Sequence, residues 1–139
     1  MKRYTSQAFS VIFGLAFLVL AHSAGKVSPM TVEGAKSVTA SEAKALFDKG
    51  VIFLDVRSDK DWNAGRIPDA IHIELKKQLN EASMGKEIKK TDPVVIYCNG
   101  ASCTRSSKAS VKAVGWGYSK VYYFRDGYPA WKTAGYPVE

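Results

Sequence analysis

Cysteine and histidine are scarce in this sequence, and both scarcities limit what the protein can be. The 139 residues include two cysteines and two histidines. Two cysteines cannot form the disulfide framework that holds small secreted scaffolds together. His22 lies in the apolar amino-terminal segment, which leaves only His72 in the rest of the chain. We therefore expect no metal site of the usual histidine and cysteine type.

Internal repeats are also lacking, and so is an apolar run of the roughly 20 residues that a membrane-spanning helix needs. The longest apolar stretch, Ala8–Ala21, is interrupted by polar or small residues. Lys2 and Arg3 precede it and small residues follow it, which is the pattern of a secretory signal. We expect residues 1–23 to be a signal peptide, with an uncleaved anchor as the alternative, and the protein to be exported to a bacterial periplasm.

The rest of the chain is basic. Without Lys2 and Arg3 it has 18 basic and 13 acidic residues, a formal net charge of +5. The densest lysine group has no aromatic residue among it to stack on bases, so we expect a solvated face and no nucleic-acid partner. A positive field favours small anionic substrates. This group consists of Lys76, Lys77, Lys86, Lys89 and Lys90.

Short apolar runs predict the strands. Val51–Leu54, Val94–Tyr97 and Val121–Phe124 are continuous apolar or aromatic segments, which is typical of strands buried on both faces of a parallel sheet. Residues 67–73 predict another short strand, which Pro68 confines to the periphery. The length of the chain suits a single domain, which we place at residues 37–139 after a flexible lead-in at 24–36.

Helix signals lie between these runs. Thr39 and Glu42 have the spacing of a capping box, and Gly50 ends the helix that they begin. A lysine-rich connection is expected over residues 83–91. Three further short helices are predicted at Ser58–Trp62, at Leu75–Ala82 and from Pro129 to Gly135. A longer helix is predicted to begin at Arg105 and to end at Gly115 and Gly117. Its apolar residues are Ala109, Val111, Ala113 and Val114.

The chemistry is expected at the carboxyl ends of the strands, where open parallel sheets bind ligands. Cys98 lies at such an end, and Arg105 follows it after a loop of small residues. The start of the next helix and the Arg105 guanidinium both favour a thiolate, so we assign Cys98 as the nucleophile and Arg105 as an orienting charge. The backbone N–H groups of the loop form a candidate anion cradle, assigned to Asn99, Gly100, Ala101, Ser102 and Thr104.

Three motifs in order resemble the rhodanese-like sulfurtransferases. Phe53–Arg57 with the later Trp62 and Gly65 is similar to the family's early motif, Val95–Ser106 to its active-site segment, and Asp126–Gly127 with Trp131 to its closing motif. The resemblance implies a five-stranded parallel α/β sheet flanked by helices on both faces. It also implies transfer of sulfane sulfur, as a persulfide on Cys98, from a donor such as thiosulfate or polysulfide to a thiol or cyanide acceptor. No cofactor is implied.

Two features depart from the family pattern. Six residues separate Cys98 from Arg105 where the family has four, so the loop is wider. Cys103 lies within that loop and is either a resolving thiol, which attacks a persulfide on Cys98 and leaves a disulfide, or the nucleophile itself. A structural disulfide between the two cysteines is a further reading.

These departures leave alternatives open. One is a dithiol redox protein that uses Cys98 and Cys103, and another is a non-catalytic binding module. A phosphatase or arsenate reductase fits the wide loop but lacks an obvious general acid. We expect a monomer, a structural ion pair between Asp55 and Arg57, and a hydrogen-bonded His72. The tryptophans at 62, 116 and 131 are assigned to packing.

Overall fold

The computed structural model describes residues 27–139. The predicted signal lies outside these residues. No helix within the described residues is long and apolar enough to span a membrane. The elements in chain order are β1 (Ala35–Ser37), α1 (Ala40–Asp48), β2 (Ile52–Asp55), α2 (Asp59–Ala64), β3 (Ile71–His72), α3 (Glu81–Glu87), β4 (Val94–Tyr97), α4 (Arg105–Gly115), β5 (Val121–Phe124) and α5 (Gly127–Thr133).

The five strands form one parallel sheet in the order β1-β5-β4-β2-β3. The predicted five-stranded parallel fold is thus confirmed. In the central pairs, Asp55 is in register with Tyr97, and Tyr97 with Phe124. The carboxyl ends of β2, β4 and β5 therefore meet at one edge, where Cys98 follows β4.

Alternate residues of the central strands β2 and β4 bury against opposite helical layers, as the pleat requires. On one face Leu54, Ile96 and Val121 pack with α3 and α4. On the other face Phe53 and Val95 belong to a second cluster, which is rich in aromatic side chains and includes the fully buried Trp131 of α5. The central strands are apolar at nearly every position because both of their faces are covered.

Local sequence signals set most of the helix ends. Thr39 and Glu42 form the predicted capping box of α1, and Gly50 follows the helix with φ of 81°. Ser58 caps α2 through the N–H of Asp61, and Gly65 is its carboxyl cap. These assignments were correct because caps are short-range features.

Two predictions around residue 80 are wrong. Residues 75–78 form turns in which the N–H groups of Gln78 and Leu79 donate to the carbonyl of Glu74. The helix begins later, because Asn80 and Ser83 form a capping box and α3 occupies part of the predicted connection. The five lysines of the predicted solvated face are exposed.

Three smaller predictions also need correction. Val111 is 59% exposed, because the buried side of α4 is built from small residues that include three serines. The last helix begins at Gly127, two residues before Pro129. The absence of regular structure predicted for 24–36 is wrong for Ala35 and Lys36, which belong to β1.

Candidate active site

Cys98 lies at the centre of the edge where β2, β4 and β5 end. It is fully buried and packs with the cluster that contains Ile96 and Ala109. Its carbonyl accepts a hydrogen bond of 2.9 Å from the N–H of Tyr128 in α5. The loop that carries Cys98 is therefore fixed to the body of the domain at its first residue.

The two cysteines are joined by a disulfide, with their Cα atoms 6.4 Å apart. Cys98 is inaccessible to solvent, whereas Cys103 is partly exposed. The sulfur of Cys103 is therefore the one that a reagent outside the protein reaches first. The bridged loop continues through Thr104 directly into α4.

Beneath the loop lies the ion pair expected between Asp55 and Arg57. The guanidinium donates to both carboxylate oxygens at 2.7–3.1 Å, and both residues are almost fully buried. Burial disfavours the charge of Arg57, but Asp55 outweighs this effect and raises the pKa of the guanidinium. The same side chain stacks at 4.4 Å on the ring of Tyr128.

The Asn99 side chain is tied into this buried network. Its Oδ1 accepts from Arg57 at 3.3 Å, and its Nδ2 donates to Asp61 at 2.8 Å. Burial opposes ionisation of Asp61, but the hydrogen bonds from Asn99 and Ser58 prevail and lower its pKa. Of the groups that Asn99 offers, the backbone N–H is thus the one left for a ligand.

Arg105 is paired with Glu74, a residue that sequence analysis did not select. The carboxylate is 5% exposed and also accepts from the N–H of Lys77 at 2.7 Å. Burial raises the pKa of a carboxyl, but the hydrogen bonds from Arg105 and from backbone N–H groups outweigh this and lower the pKa of Glu74. The charge of Arg105 is therefore offset, which weakens the predicted attraction between Arg105 and a thiolate.

The N–H groups of the loop differ in their use. The N–H of Cys103 donates to the carbonyl of Gly100 at 3.0 Å and is satisfied within the loop. The N–H groups of the five residues assigned to the cradle have no acceptor among residues 27–139. α4 begins at Arg105 without a side-chain cap, and its next residue, Ser106, has a buried hydroxyl without a partner among the described residues.

A short segment that we call the N-terminal strap, residues 28–32, holds the other side of the loop. The N–H of Ser28 donates to the carbonyl of Ala101 at 2.7 Å, and its hydroxyl donates to the carbonyl of Cys103. The Arg125 guanidinium donates twice to the carbonyl of Ser28, at 3.0 and 3.1 Å. Ser28 is only 2% exposed although it lies far from the loop in sequence.

The remaining predicted residues have structural surroundings. His72 bonds the carbonyl of Arg57 at 2.9 Å and stacks on Trp62 with ring centroids 4.7 Å apart, as expected of a satisfied histidine. Trp131 is core, and Trp116 packs at the rim of the α4 cluster. None of these side chains needs a role in catalysis.

Sequence reasoning missed Glu74 and Ser28. Each forms a hydrogen bond with a site residue that lies more than 30 positions away in sequence. Glu74 bonds Arg105, and Ser28 bonds the carbonyl of Cys103. A signal was available for Glu74, because an acidic residue that directly follows the strand predicted at residues 67–73 is a candidate partner for a basic residue of the site. Nothing in the local pattern of the strap marks Ser28.

Comparison with known proteins identifies the family of the chain. The model of the rhodanese-like domain matches residues 39–134, and the chain belongs to this family. Thiosulfate sulfurtransferase GlpE of Pseudomonas syringae is 30% identical over 107 residues, which are 75% of this chain and 92% of that protein. The strap lies outside the matched residues.

Two solved structures agree. The BH2092 protein of Bacillus halodurans has a TM-score of 0.67 at 26% identity, over 76% of this chain and 77% of that one. The human single-domain sulfurtransferase TSTD1 has a TM-score of 0.61 at 25% identity, over 71% of this chain and 96% of that one. The protein is thus a rhodanese-family domain with a sulfurtransferase-like role.

Proposed function

We propose that this protein transfers sulfane sulfur as a persulfide on Cys98. The observation that carries the proposal is the position of Cys98, at the end of the central strand β4 and at the start of a loop that leads into α4. The family and its thiosulfate sulfurtransferase relatives support the reaction. Small anions, thiosulfate or polysulfide, are the donors, and a thiol or cyanide is the acceptor.

The first half-reaction starts from the reduced loop. The Cys98 thiolate attacks the outer sulfur of thiosulfate, the sulfur–sulfur bond of the donor breaks, and sulfite leaves with the bonding electron pair. Cys98 then carries a persulfide anion. The free N–H groups of the loop and the amino end of α4 stabilise this anion, as backbone donors do for developing negative charge.

The second half-reaction removes the outer sulfur from the persulfide. A cyanide ion attacks that terminal sulfur and leaves as thiocyanate, which returns Cys98 to the thiolate. Alternatively, Cys103 attacks the inner sulfur, so that hydrosulfide leaves and the Cys98–Cys103 disulfide forms. The second route makes Cys103 a resolving thiol and consumes the reduced state of the loop.

Export to a periplasm is part of the proposal. Lys2, Arg3 and the apolar run that follows support it, and a disulfide is typical of proteins in oxidising compartments. The scattered positive charge supports a small anionic donor and no nucleic acid. We propose that the protein acts as a monomer, because the proposed sulfur transfer needs the loop of one chain only.

The test is the intact mass of the reduced protein before and after thiosulfate. We expect Cys103→Ser to gain one sulfur atom that cyanide then removes, and Cys98→Ser to gain none. Sulfur uptake by Cys98→Ser but not by Cys103→Ser would make Cys103 the nucleophile. No uptake by either variant or by the reduced wild type would refute sulfur transfer.

The disulfide favours one second candidate, a dithiol redox protein. In that case the reduced wild type loses two hydrogens on exchange with a partner disulfide and takes up no sulfur from thiosulfate. Both single-cysteine variants then lose exchange. Sulfur uptake from thiosulfate by Cys103→Ser, which cannot form the disulfide, therefore separates the two functions.

A further inference from the structure

The Cys98–Cys103 disulfide must be reduced before sulfur transfer can begin. Cys98 cannot attack thiosulfate while its sulfur is bonded to Cys103, so two electrons must first enter the loop. A reductant has to reach one of the two sulfurs.

A groove of about 330 Å³ lies between the strap and α4, the helix that follows the Cys103 segment. One wall comes from the strap, where Pro29 follows the Ser28 that hydrogen-bonds to Cys103. The other wall is the part of α4 from Ser107 to Lys112, and the Ser107 hydroxyl donates to the carbonyl of Thr104. One wall is therefore hydrogen-bonded to the segment that carries the accessible sulfur, and the other follows that segment in the chain.

The groove is apolar and basic at once. Its lining includes Pro29 and Val111, flanked by the exposed Lys108 and Lys112. No ion pair is formed by either lysine with another described residue. A partner that fits it has apolar side chains for the lining and carboxylates for the two lysines.

One exposed apolar side chain lies in the groove itself. Val111, which lines it, is 59% exposed. Val27 and Met30 are also exposed and are close in sequence to Pro29.

We propose that this groove docks a dithiol protein with an acidic and apolar surface around its cysteines, which reduces the Cys98–Cys103 disulfide. The inference rests on the proposed function, because it supplies the reduced Cys98 that sulfur transfer needs. None of the residues that line the groove takes part in the proposed sulfur transfer.

The reaction balances in two exchanges. A partner thiolate attacks the sulfur of Cys103, a mixed disulfide forms, and Cys98 leaves as a thiolate. The second partner thiolate then attacks the partner's own sulfur in that mixed disulfide, and Cys103 leaves as a thiolate that takes up a proton. The partner is oxidised by two electrons and the loop is reduced by two.

Burial and charge favour this direction of attack. Cys98 is fully buried, so an external thiolate meets Cys103 first. The leaving thiolate forms at Cys98, beside the unpaired N–H groups of the loop, and a stabilised leaving thiolate leaves faster. Reduction thus delivers Cys98 in the ionisation state that attacks thiosulfate.

Two dithiol peptides serve as probes. Each has two cysteines separated by two residues and flanked by leucines, with glutamates in one peptide and lysines in the other. We expect the acidic peptide to reduce the disulfide about tenfold faster, since complementary charge raises association rates. Equal rates for the two peptides would overturn the docking proposal.

Matched variants locate the effect. The double variant Lys108→Glu, Lys112→Glu is expected to abolish or reverse the preference. The double variant Lys86→Glu, Lys89→Glu has the same change in net charge at exposed sites away from the groove and is expected to keep it. Reduction by dithiothreitol, which needs no groove, reports whether each variant is folded and should differ less than twofold among them.

Trapping shows which sulfur is attacked. A single-cysteine form of the acidic peptide cannot complete the reaction, and iodoacetamide caps the thiol that is released. We expect the peptide on Cys103 and the cap on Cys98 by peptide mass mapping. The reverse pattern would overturn the proposal, whereas failure of thiosulfate uptake by the fully reduced protein would refute only the proposed function.

Discussion

Glu74 shows how one buried carboxylate fixes the start of the site helix. It accepts from Arg105, the first residue of α4, and from the N–H of Lys77 in the turn that follows β3. One side chain thus joins the segment after the edge strand to the helix that begins after the cysteine loop. Removing its charge leaves Arg105 without its carboxylate partner in a partly buried place.

We predict that Glu74→Gln lowers the free energy of unfolding by about 2 kcal/mol at neutral pH, the usual loss for a hydrogen bond to a charged group. Urea unfolding at pH 7 measures it. Glu87→Gln is the matched control, because Glu87 is exposed and forms no ion pair with the other described residues. An equal effect of the two substitutions would contradict a special role for Glu74.

The same pair has a defined pH dependence. The pKa of Glu74 in the folded protein lies below its ordinary value of 4.5, so its stabilising effect is complete above that pH and is lost as the pH falls below it. The stability difference between wild type and Glu74→Gln should therefore shrink below about pH 4.5. A difference that grows on acidification would show that the sign is wrong.

At the scale of elements, the start of α5 closes against the end of β4. Gly127 has φ of 58°, and a Cβ atom there would lie 2.9 Å from the carbonyl carbon of Cys98 and 3.0 Å from the nitrogen of Gly100. These are backbone atoms of the cysteine loop and cannot rotate away. The glycine thus lets two elements approach at the point where the nucleophile is held.

We predict that Gly127→Ala is more destabilising than Gly135→Ala. Both glycines have positive φ, but a Cβ at Gly135 meets nothing within 4 Å. Gly135→Ala should therefore lose about 1 kcal/mol for its backbone conformation alone, and Gly127→Ala about 1–3 kcal/mol more for the steric overlap. Urea unfolding of both variants gives the comparison, and equal losses would show that the close approach is unimportant.

For the whole molecule, the core does not depend on the disulfide. Two clusters of buried side chains cover the two faces of the sheet. The disulfide joins two cysteines that are only five positions apart in sequence, so the loop that it closes is short. We predict that reduction lowers the free energy of unfolding by at most about 2 kcal/mol, the value for so short a loop. Urea unfolding with and without reductant measures it, and unfolding on reduction would contradict it.

The sequence predicts the strands of this protein better than the polar contacts of its site. Apolar runs located β2, β4 and β5, and therefore the edge at which Cys98 lies, because strand burial is visible in a few consecutive residues. The prediction of a helix at residues 75–78 is wrong, because the hydrogen bonds that Glu74 accepts in this turn leave no periodic pattern in the sequence. The pairing of Glu74 with Arg105 depends on the folded topology.

The N-terminal strap makes assembly of the site one of the last steps of folding. Its carbonyls accept from Tyr123 and Arg125, which lie 94 and 97 residues further along the chain. Contacts of such large sequence separation close late, because the intervening chain must already be ordered. During synthesis from the amino end, residues 28–32 emerge long before β5, which they contact in the folded protein. The cysteine loop is therefore locked only when nearly the whole domain exists, and until then its thiols are open to whatever oxidant the chain meets.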